Sequence, residues 1–591
     1  MKTKFKNIRE FIDTLEQLGE LTRIKEEVSP EIEISKYTDV ESKKLGGGKA
    51  LLFENVVDNG KKTFPVATNL FGSQKRMALA LGLENLDDAG KEIEALMQMP
   101  PPASLSDKIK TLFTLLPLTK IMPKMLKNAP CQEVVKTGDD IDLTEIPVLK
   151  CWPDDGGRFI TLPLVFTKSL VDGRRNLGMY RLQIFDKNTT GMHWHIHKDG
   201  SHYFSEYTKA KKRMQVAVAI GADPSVIYAA TAPMPRGIDE ILLAGFFRKS
   251  GVEMVKCKTI DMEVPAEAEF VLEGYVDYDE RRLEGPFGDH TGYYSLADMF
   301  PVFHLTAITR KKEPIYCATL VGPPPMEDCY MAKATERIFL PMLKSVQPEI
   351  QDYFLPWEGV FHNIVVVAIE KEYPAHAQKL MSALWGQGQM SFCKAIVVVD
   401  KNVKPSALDK IWELFLTSFD AQRDITMSYG VLDVLDHSSP TAYSGTKIGI
   451  DLTSPVANES KRNIKKLANV SEEKSSEIEK WILENVDCAK RVKIKKGFVA
   501  VAVEKAQRRG KDILQQLMLC PEIKEFFRAI VIFDENVDIE NNSKILWKVF
   551  NNTDPNRDII IDENIVFIDA CKKNLADGHQ REWPDDLTFD K

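Results

Sequence analysis

The sequence contains no pair of cysteines spaced CxxC. Its nine cysteines stand singly at positions 131, 151, 257, 317, 329, 393, 488, 520 and 571. An odd, dispersed set argues for reduced thiols in a cytoplasm and against a disulfide framework or zinc ribbon. Most are expected to be small apolar core residues. Also missing is any run near the ~18 consecutive apolar residues of a membrane-crossing helix. The N-terminal MKTKFKNIREFIDTLEQLGEL reads as an amphipathic helix interrupted by charges, not as an export signal. Nor is there an excess of positive charge: the net charge is -8, which removes the electrostatic footprint of a nucleic-acid-binding protein. The basic runs KAKKRM (209–214) and KRVKIKK (490–496) read as solvated faces.

What is present is a chain of 591 residues, long enough for about three to five domains. Residues 1–125 show an α+β pattern: a helix, a GGGKALLFENV loop and strand, a helix after NLFGSQKRMA, and a Pro-rich connection MPPPASLSDK at 99–108. From 126 to 322 the texture becomes short apolar or alternating runs such as PLVFTKSLV, MQVAVAIG and PVFHLTAITR, the pattern of an antiparallel β domain, read here as a barrel. One helix interrupts it at IDEILLAGFFRKS (238–250), with Ile238, Ile241, Leu242, Phe246 and Phe247 expected on the buried face.

The remainder, 323–465 and 466–591, contains a duplication. AIVVVDKNV (395–403) returns as AIVIFDENV (529–537), DAQRD (420–424) as DPNRD (554–558), and VVVAIEK (365–371) as VAVAVEK (499–505). All three offsets are 134 residues, so one unit is present twice. Each copy alternates strands and helices, which implies a parallel or mixed sheet covered by helices. The second copy is expected to lack the Trp385–Gln389 loop WGQGQ and the SGTKIGIDLT segment, leaving the functional loop in copy one.

Several residues are candidates for chemistry, each with a plainer alternative. GMHWHIHKDG (191–200) puts His193, His195 and His197 at every second position, so on a strand they share one face; this reads either as a three-histidine metal site or as ordinary pocket histidines. Asn176 and Arg181 bracket NLGMYR, and Arg181 is either functional or a surface ion-pair residue. In RRLEGPFGDHTGYY (281–294), Glu284 and Asp289 flank a Gly-Pro-Phe-Gly turn. Held near one pocket, they would repel each other, and burial would raise at least one pKa and supply an acid at neutral pH; the alternative is a solvent-facing acidic turn. Glu240 is a metal ligand or a carboxylate favourable to its helix dipole.

Taken in order, NLFGSQKR, CWPDDGG, NLGMYR, the histidine stretch, the Glu240 helix, EGPFGDHTGYY and SGTKIGIDLT resemble the UbiD family of prenylated-FMN-dependent decarboxylases over roughly residues 10–455. The duplicated C-terminal module and HWHIHKDG look more like the branch associated with menaquinone biosynthesis than the ubiquinone branch. Where ubiquinone-type members carry an Arg before the Trp and an HRGG run after it, this chain has His193 and His197-Lys198-Asp199-Gly200.

The resemblance implies an α+β multidomain protein. It would have an N-terminal α+β domain, a central split β-barrel that binds flavin, and a C-terminal α/β domain, here followed by a degenerate second copy of its α/β unit. It implies prenylated FMN whose phosphate is bridged by Mn2+, with K+ alongside. Asn176, His197 and Glu240 would be the metal ligands. Met179, Tyr180, Arg181, His193, Trp194, His195, Lys198 and Lys394 would contact the cofactor. Arg181, Glu284 and Asp289 would be the catalytic set: Arg181 orienting the substrate carboxylate, Asp289 delivering the proton that replaces CO2, and Glu284 tuning Arg181. The enzyme implied is a cytoplasmic homo-oligomeric carboxy-lyase, a dimer or hexamer. It acts on an aromatic carboxylic acid in quinone synthesis, is supplied by a flavin prenyltransferase, and makes peripheral membrane contact if the acid is prenylated. The alternative is an FMN-dependent oxidoreductase on the same barrel.

Overall fold

The computed structural model describes residues 4–97, 116–195, 198–464 and 466–590; the Pro-rich connection at 99–108 lies outside the described residues. The chain divides into two compact units, Met1–Ile338 with Asp585–Lys591, and Phe339–Pro584. Both mix helices and sheets, so the protein is a multidomain α/β structure. Among the described residues no helix is long and apolar enough to cross a membrane.

In the first unit the N-terminal amphipathic stretch is the helix Ile8–Gln17, capped by the Asn7 side chain accepting the Glu10 N–H. Its buried Ile8, Phe11, Ile12 and Leu15 form the i, i+3, i+4, i+7 stripe of a helix lying on a core. A sheet follows in the order Leu21–Val28, Ala50–Asp58, Val66–Thr68, Tyr316–Cys317. The larger sheet runs Thr189–Gly191, Asp298–Arg310, Phe270–Glu284, Met214–Ile220, Leu164–Lys168, Arg175–Gly178, with Val134–Thr137 added beside Asp298–Arg310. Every pairing in it is antiparallel. Its path has two ends among the described residues, so it is an open sheet and not a closed barrel. Met214, Val216, Val218 and Ile220, at the two-residue spacing of one strand face, pack with Leu272, Phe303 and Trp152 in one core.

The helix expected at 238–250 is Glu240–Arg248, and its buried face differs from the expected one. Ile241, Leu243, Ala244, Gly245 and Phe247 are buried with Glu240, whereas Leu242 and Phe246 are half-buried and Ile238 is exposed ahead of the helix. Gly245 sets the rotation: a Cβ there would stand 2.4 Å from the Ile121 carbonyl oxygen, so the glycine side faces the neighbouring backbone.

The second unit holds two five-stranded sheets of one topology. The first orders Ile350–Phe354, Ile364–Ile369, Ala395–Asp400, Ser444–Asp451, Ile425–Val431; the second orders Ala489–Lys495, Gly497–Val503, Phe527–Asp534, Ile565–Asp569, Ile559–Asp562. In both, the three central strands are parallel and the edges antiparallel. Val366 pairs with Val397 and Ala500 with Val531, so the register also repeats at 134 residues. The constant offset means that nothing is missing from the second copy at 385–389. The shortfall comes later, since Val397 to its partner Ile450 spans 53 residues and Val531 to Ile568 only 37. The connection 432–443 of the first sheet is reduced to 563–564 in the second.

Candidate active site

The strand Arg175–Gly178 leads into a bend that presents Arg181 just before Leu182–Gln183. The long strand Phe270–Glu284 ends on Glu284, and the short hairpin of Phe287–Gly288 with Tyr294–Ser295 carries Asp289 at its turn. These elements meet. Arg181 Nε donates to Glu284 Oε1 at 2.8 Å and one terminal nitrogen to Glu284 Oε2 at 3.1 Å; the other terminal nitrogen reaches Asp289 Oδ2 at 2.5 Å. Ser295 Oγ accepts a further bond from Arg181 at 2.9 Å, and the guanidinium carbon lies 4.4 Å from the Phe287 ring centroid, a cation–π contact.

The electrostatics correct the expectation of an acid created by two repelling carboxylates. Burial works against the charge of Glu284, which has no exposed surface, yet Arg181 and His193 hold its pKa down at about 2. Asp289 is likewise kept well below the usual carboxylate range: burial opposes ionisation, but His290 and Arg181 outweigh it. A cation between the two carboxylates turns repulsion into a shared attraction.

The segment 192–195 is not a strand, so the two described histidines do not line a strand face. They meet edge to edge instead, His193 Nε2 to His195 Nε2 at 2.7 Å, while His193 Nδ1 faces Glu284 Oε2 at 2.9 Å. Burial first, then Arg181, lowers the His193 pKa. A neutral His193 with Nδ1 protonated toward the ionised Glu284 must accept at Nε2, so His195 donates from Nε2. His197 lies outside the described residues.

Asn176 and Glu240 are brought together by the backbone, because Leu177 N–H donates to Glu240 Oε2 at 2.8 Å. Burial pushes Glu240 up to about 7, and among the described residues no Lys or Arg forms an ion pair with it. Tyr180 Oη accepts the Gly200 N–H at 3.3 Å, and burial raises its hydroxyl to about 12. Trp194 is buried against Phe204, its indole N–H without a hydrogen-bond partner among the described residues. Met179 is half-buried and donates its N–H to the Ala230 carbonyl; Lys198 is exposed at the start of the helix Asp199–Ala210. Lys394 lies in the second unit, where its ammonium donates to Asp436 at 2.8 Å and Ser438 at 2.9 Å. Both partners belong to the connection 432–443 that the second sheet lacks, and Lys394 maps by the 134-residue offset to Arg528, which instead caps the Asn564 and Leu416 carbonyls. A separate group, Asp277, Glu280 and His304, is satisfied by its own pairs, His304 to Glu280 and Arg213 to Asp277, each at 2.6 Å.

Several supports escaped the sequence reading. Asp155 of CWPDDGG accepts the Cys151, Trp152 and Gly288 N–H groups, and burial raises it to about 7. Gln183 accepts from Gly285 N–H and donates to the Gly156 carbonyl, so it clamps the turn after Glu284. The C-terminal Asp585–Lys591 returns to the first unit: Leu587 N–H bonds the Gly292 carbonyl, Tyr294 N–H bonds the Asp585 carbonyl, and Phe589 stacks on Trp152 at 4.3 Å. Ser295, Phe287 and His290 stand in or beside the EGPFGDHTGYY motif and were within reach of sequence reasoning; the tail carried no signal.

Comparison with known proteins gives consistent matches. The N-terminal, Rift-related and C-terminal domain models of 3-octaprenyl-4-hydroxybenzoate carboxy-lyase match residues 12–96, 124–324, and 329–452 with 489–576. An uncharacterised protein of Archaeoglobus fulgidus is 48% identical over 76% of this chain and 92% of its own length. One of Helicobacter pylori is 39% identical over 98% of this chain and 93% of its own. Among solved structures, the closed form of vanillic acid decarboxylase from Sedimentibacter hydroxybenzoicus superposes with TM-score 0.68 at 27% identity, covering 81% of this chain and 99% of that one. The UbiD-class enzyme HmfF from Pelotomaculum thermopropionicum, in an evolved dimeric form in complex with prFMN, superposes at 0.64 with 26% identity, covering 77% and 96%.

Proposed function

The chain belongs to the UbiD family of carboxy-lyases, and from that premise we propose that it removes CO2 from an aromatic carboxylic acid without net oxidation, using prenylated FMN. The carrying observation is Arg181 fixed between Glu284 and Asp289. The substrate class we favour is a dihydroxynaphthoate or polyprenylated hydroxybenzoate, placing the enzyme in menaquinone or ubiquinone synthesis. The likeness to a vanillic acid decarboxylase and to a prFMN-bound enzyme supports the aromatic acid and the cofactor.

The residues suit a flavin phosphate held by a cation. Glu240 is a buried carboxylate lacking a cationic partner among the described residues, and Asn176 beside it offers a carbonyl oxygen. Two hard oxygen donors fit Mn2+ with K+ alongside, and His197 is the proposed third ligand. The Trp194 indole N–H, without a partner among the described residues, is a donor open to an acceptor. When bound, prenylated FMN supplies the electron sink for the charge left as CO2 departs.

Every other role falls on side chains of this protein. Arg181 uses four of its five N–H groups on Glu284, Asp289 and Ser295, which fixes its plane and leaves one N–H of the nitrogen facing Asp289 for the substrate carboxylate. Glu284 keeps that plane and is itself held by His193. Asp289 delivers the proton to the ring carbon.

The same reading takes the open seven-stranded sheet as a split barrel and the second five-stranded sheet as a degenerate copy of the first. The common strand order and the two stretches matched by one C-terminal family model support the latter. It also includes a homo-oligomer and a flavin prenyltransferase as cofactor supplier. The test is co-expression with such a prenyltransferase, mass spectrometry of the bound cofactor, and CO2 release from a panel of aromatic acids. Bound ordinary FMN with NAD(P)H-dependent turnover and no CO2 would favour a flavin oxidoreductase instead.

A further inference from the structure

Within the second unit the two α/β copies pack on one another, and their contacts are reciprocal. Asn363 stands just before the strand Ile364–Ile369, and its side chain donates to Asn551 Oδ1 at 2.9 Å, near the end of the helix Asn542–Asn552. At the same junction Ser543 Oγ donates to Glu358 at 2.7 Å. The counterpart of Asn363 at the 134-residue offset is Gly497. A Cβ on Gly497 would stand 2.3 Å from Leu416 Cδ2, near the end of the equivalent helix Leu408–Ser418. Each copy therefore sets the start of one strand against the end of the other copy's helix.

A second exchange joins the connections. The Ala421 N–H of DAQRD donates to Asn564 Oδ1 at 2.8 Å, in the short connection 563–564 of the second copy. In return Arg557 of DPNRD donates to the Ser438 carbonyl at 2.8 Å, in the longer connection 432–443 of the first. Between these contacts lies one apolar cluster that takes equivalent residues from both sheets: Ile425 with Ile559, Ile448 with Val566, and Ile450 with Ile568. Tandem repeats in a solenoid set unlike faces together. Here both copies use the same face, the isologous arrangement that a two-fold axis makes between identical subunits. An apolar centre with hydrogen bonds around it is also the anatomy of a subunit interface.

We propose that the second copy is a built-in partner subunit: within one chain it covers a self-complementary face of the first copy, a face that when uncovered takes the same face of a second chain. Any homo-oligomer of the intact chain is then assembled through other surfaces. The departure from symmetry shows what the built-in copy does besides covering. Arg581, beyond the second sheet, donates to the Asp436 and Ser439 carbonyls at 3.0 and 2.9 Å, and so holds the connection from which Asp436 and Ser438 grip the Lys394 ammonium. None of this depends on the reaction proposed above.

The test uses the full-length chain. In Glu358→Cys/Ser543→Cys, both half-buried at the rim, a short bismaleimide is expected to join residues 358 and 543 of one chain at every protein dilution. Peptide mass spectrometry and a band of single-chain mass on a denaturing gel would show it, and the locked protein should keep the wild-type mass in solution. A product joining two chains overturns the built-in pairing, as does a locked protein that loses its wild-type assembly. In a second variant, Ile559→Asp/Ile561→Asp puts two charges into the shared cluster from the edge strand Ile559–Asp562 of the second copy. The uncovered faces of two chains should then pair, doubling the wild-type mass in sedimentation velocity, and the 358–543 cross-link made beforehand should prevent the doubling. A second copy that detaches, seen as new tryptic cleavage between residues 453 and 470, while the mass stays at the wild-type value overturns the self-complementary face.

Discussion

Arg181 and Glu284, 103 residues apart in sequence, meet through two parallel hydrogen bonds of 2.8 and 3.1 Å on a carboxylate with no exposed surface. Such a fork fixes both the position and the plane of the guanidinium.

Replacing Arg181 therefore has two separable consequences. Arg181→Ala leaves Glu284 buried without its cation and held only by His193, and is expected to cost about 3–5 kcal/mol of stability in urea denaturation. Arg181→Lys keeps the charge but loses the fork. Decarboxylation is then expected to fall about 100-fold with a smaller loss of stability, and equal activity of the Lys variant and wild type would contradict the assigned role.

Acid sensitivity follows from the depressed carboxylates. Glu284 has a folded pKa of about 2 against an ordinary 4.5. Its contribution is fully present above the unfolded value and is lost as pH falls from 4.5 through the folded value. That contribution is on the order of 3 kcal/mol. Glu284→Gln should flatten the acid limb of the stability curve in this window, measured by denaturant midpoints at successive pH values.

Glu240 behaves oppositely. Its folded pKa of about 7 means that cation-free protein loses stability as pH rises from 4.5 through 7. Mn2+ with flavin phosphate should reverse this, adding about 2.7 kcal/mol of stability at a hundredfold excess over Kd and raising Tm accordingly. Glu240→Gln should abolish the metal-dependent rise while stabilising the cation-free protein at pH above about 7.

The C-terminal tail is expected to matter to a site far from it in sequence. Leu587 is buried, and its Cδ2 lies 2.9 Å from where a Cβ on Gly288 would stand. Leu587→Ala should cost about 2–4 kcal/mol. By loosening the hairpin that holds Asp289, it should also lower kcat more than it raises KM, as steady-state kinetics would show.

Much of the site was legible because its residues sit in short motifs. NLGMYR and EGPFGDHTGYY carry Arg181, Glu284 and Asp289, and the Gly-Pro-Phe-Gly segment leads directly from Glu284 at the end of a long strand into the short hairpin that carries Asp289. The rotation of the Glu240 helix is not legible in the sequence, because apolar spacing alone does not register a close backbone approach at Gly245. The histidine stretch has the spacing of a strand but lacks strand pairing at 192–195, and two-residue periodicity cannot tell the two apart.

By itself the sequence determined the repeat, since a constant 134-residue offset is a property of residue order, and it determined which residue types could do chemistry. Only tertiary structure decided their charge states. Whether two carboxylates repel or share a cation depends on what stands between them, and Arg181 arrives there from a bend more than 100 residues earlier in the chain. Tertiary structure also decided that Leu587 and Phe589 close over the hairpin of Asp289. Contacts across such sequence separations leave no local pattern, because they are made by packing and not by any element's own periodicity.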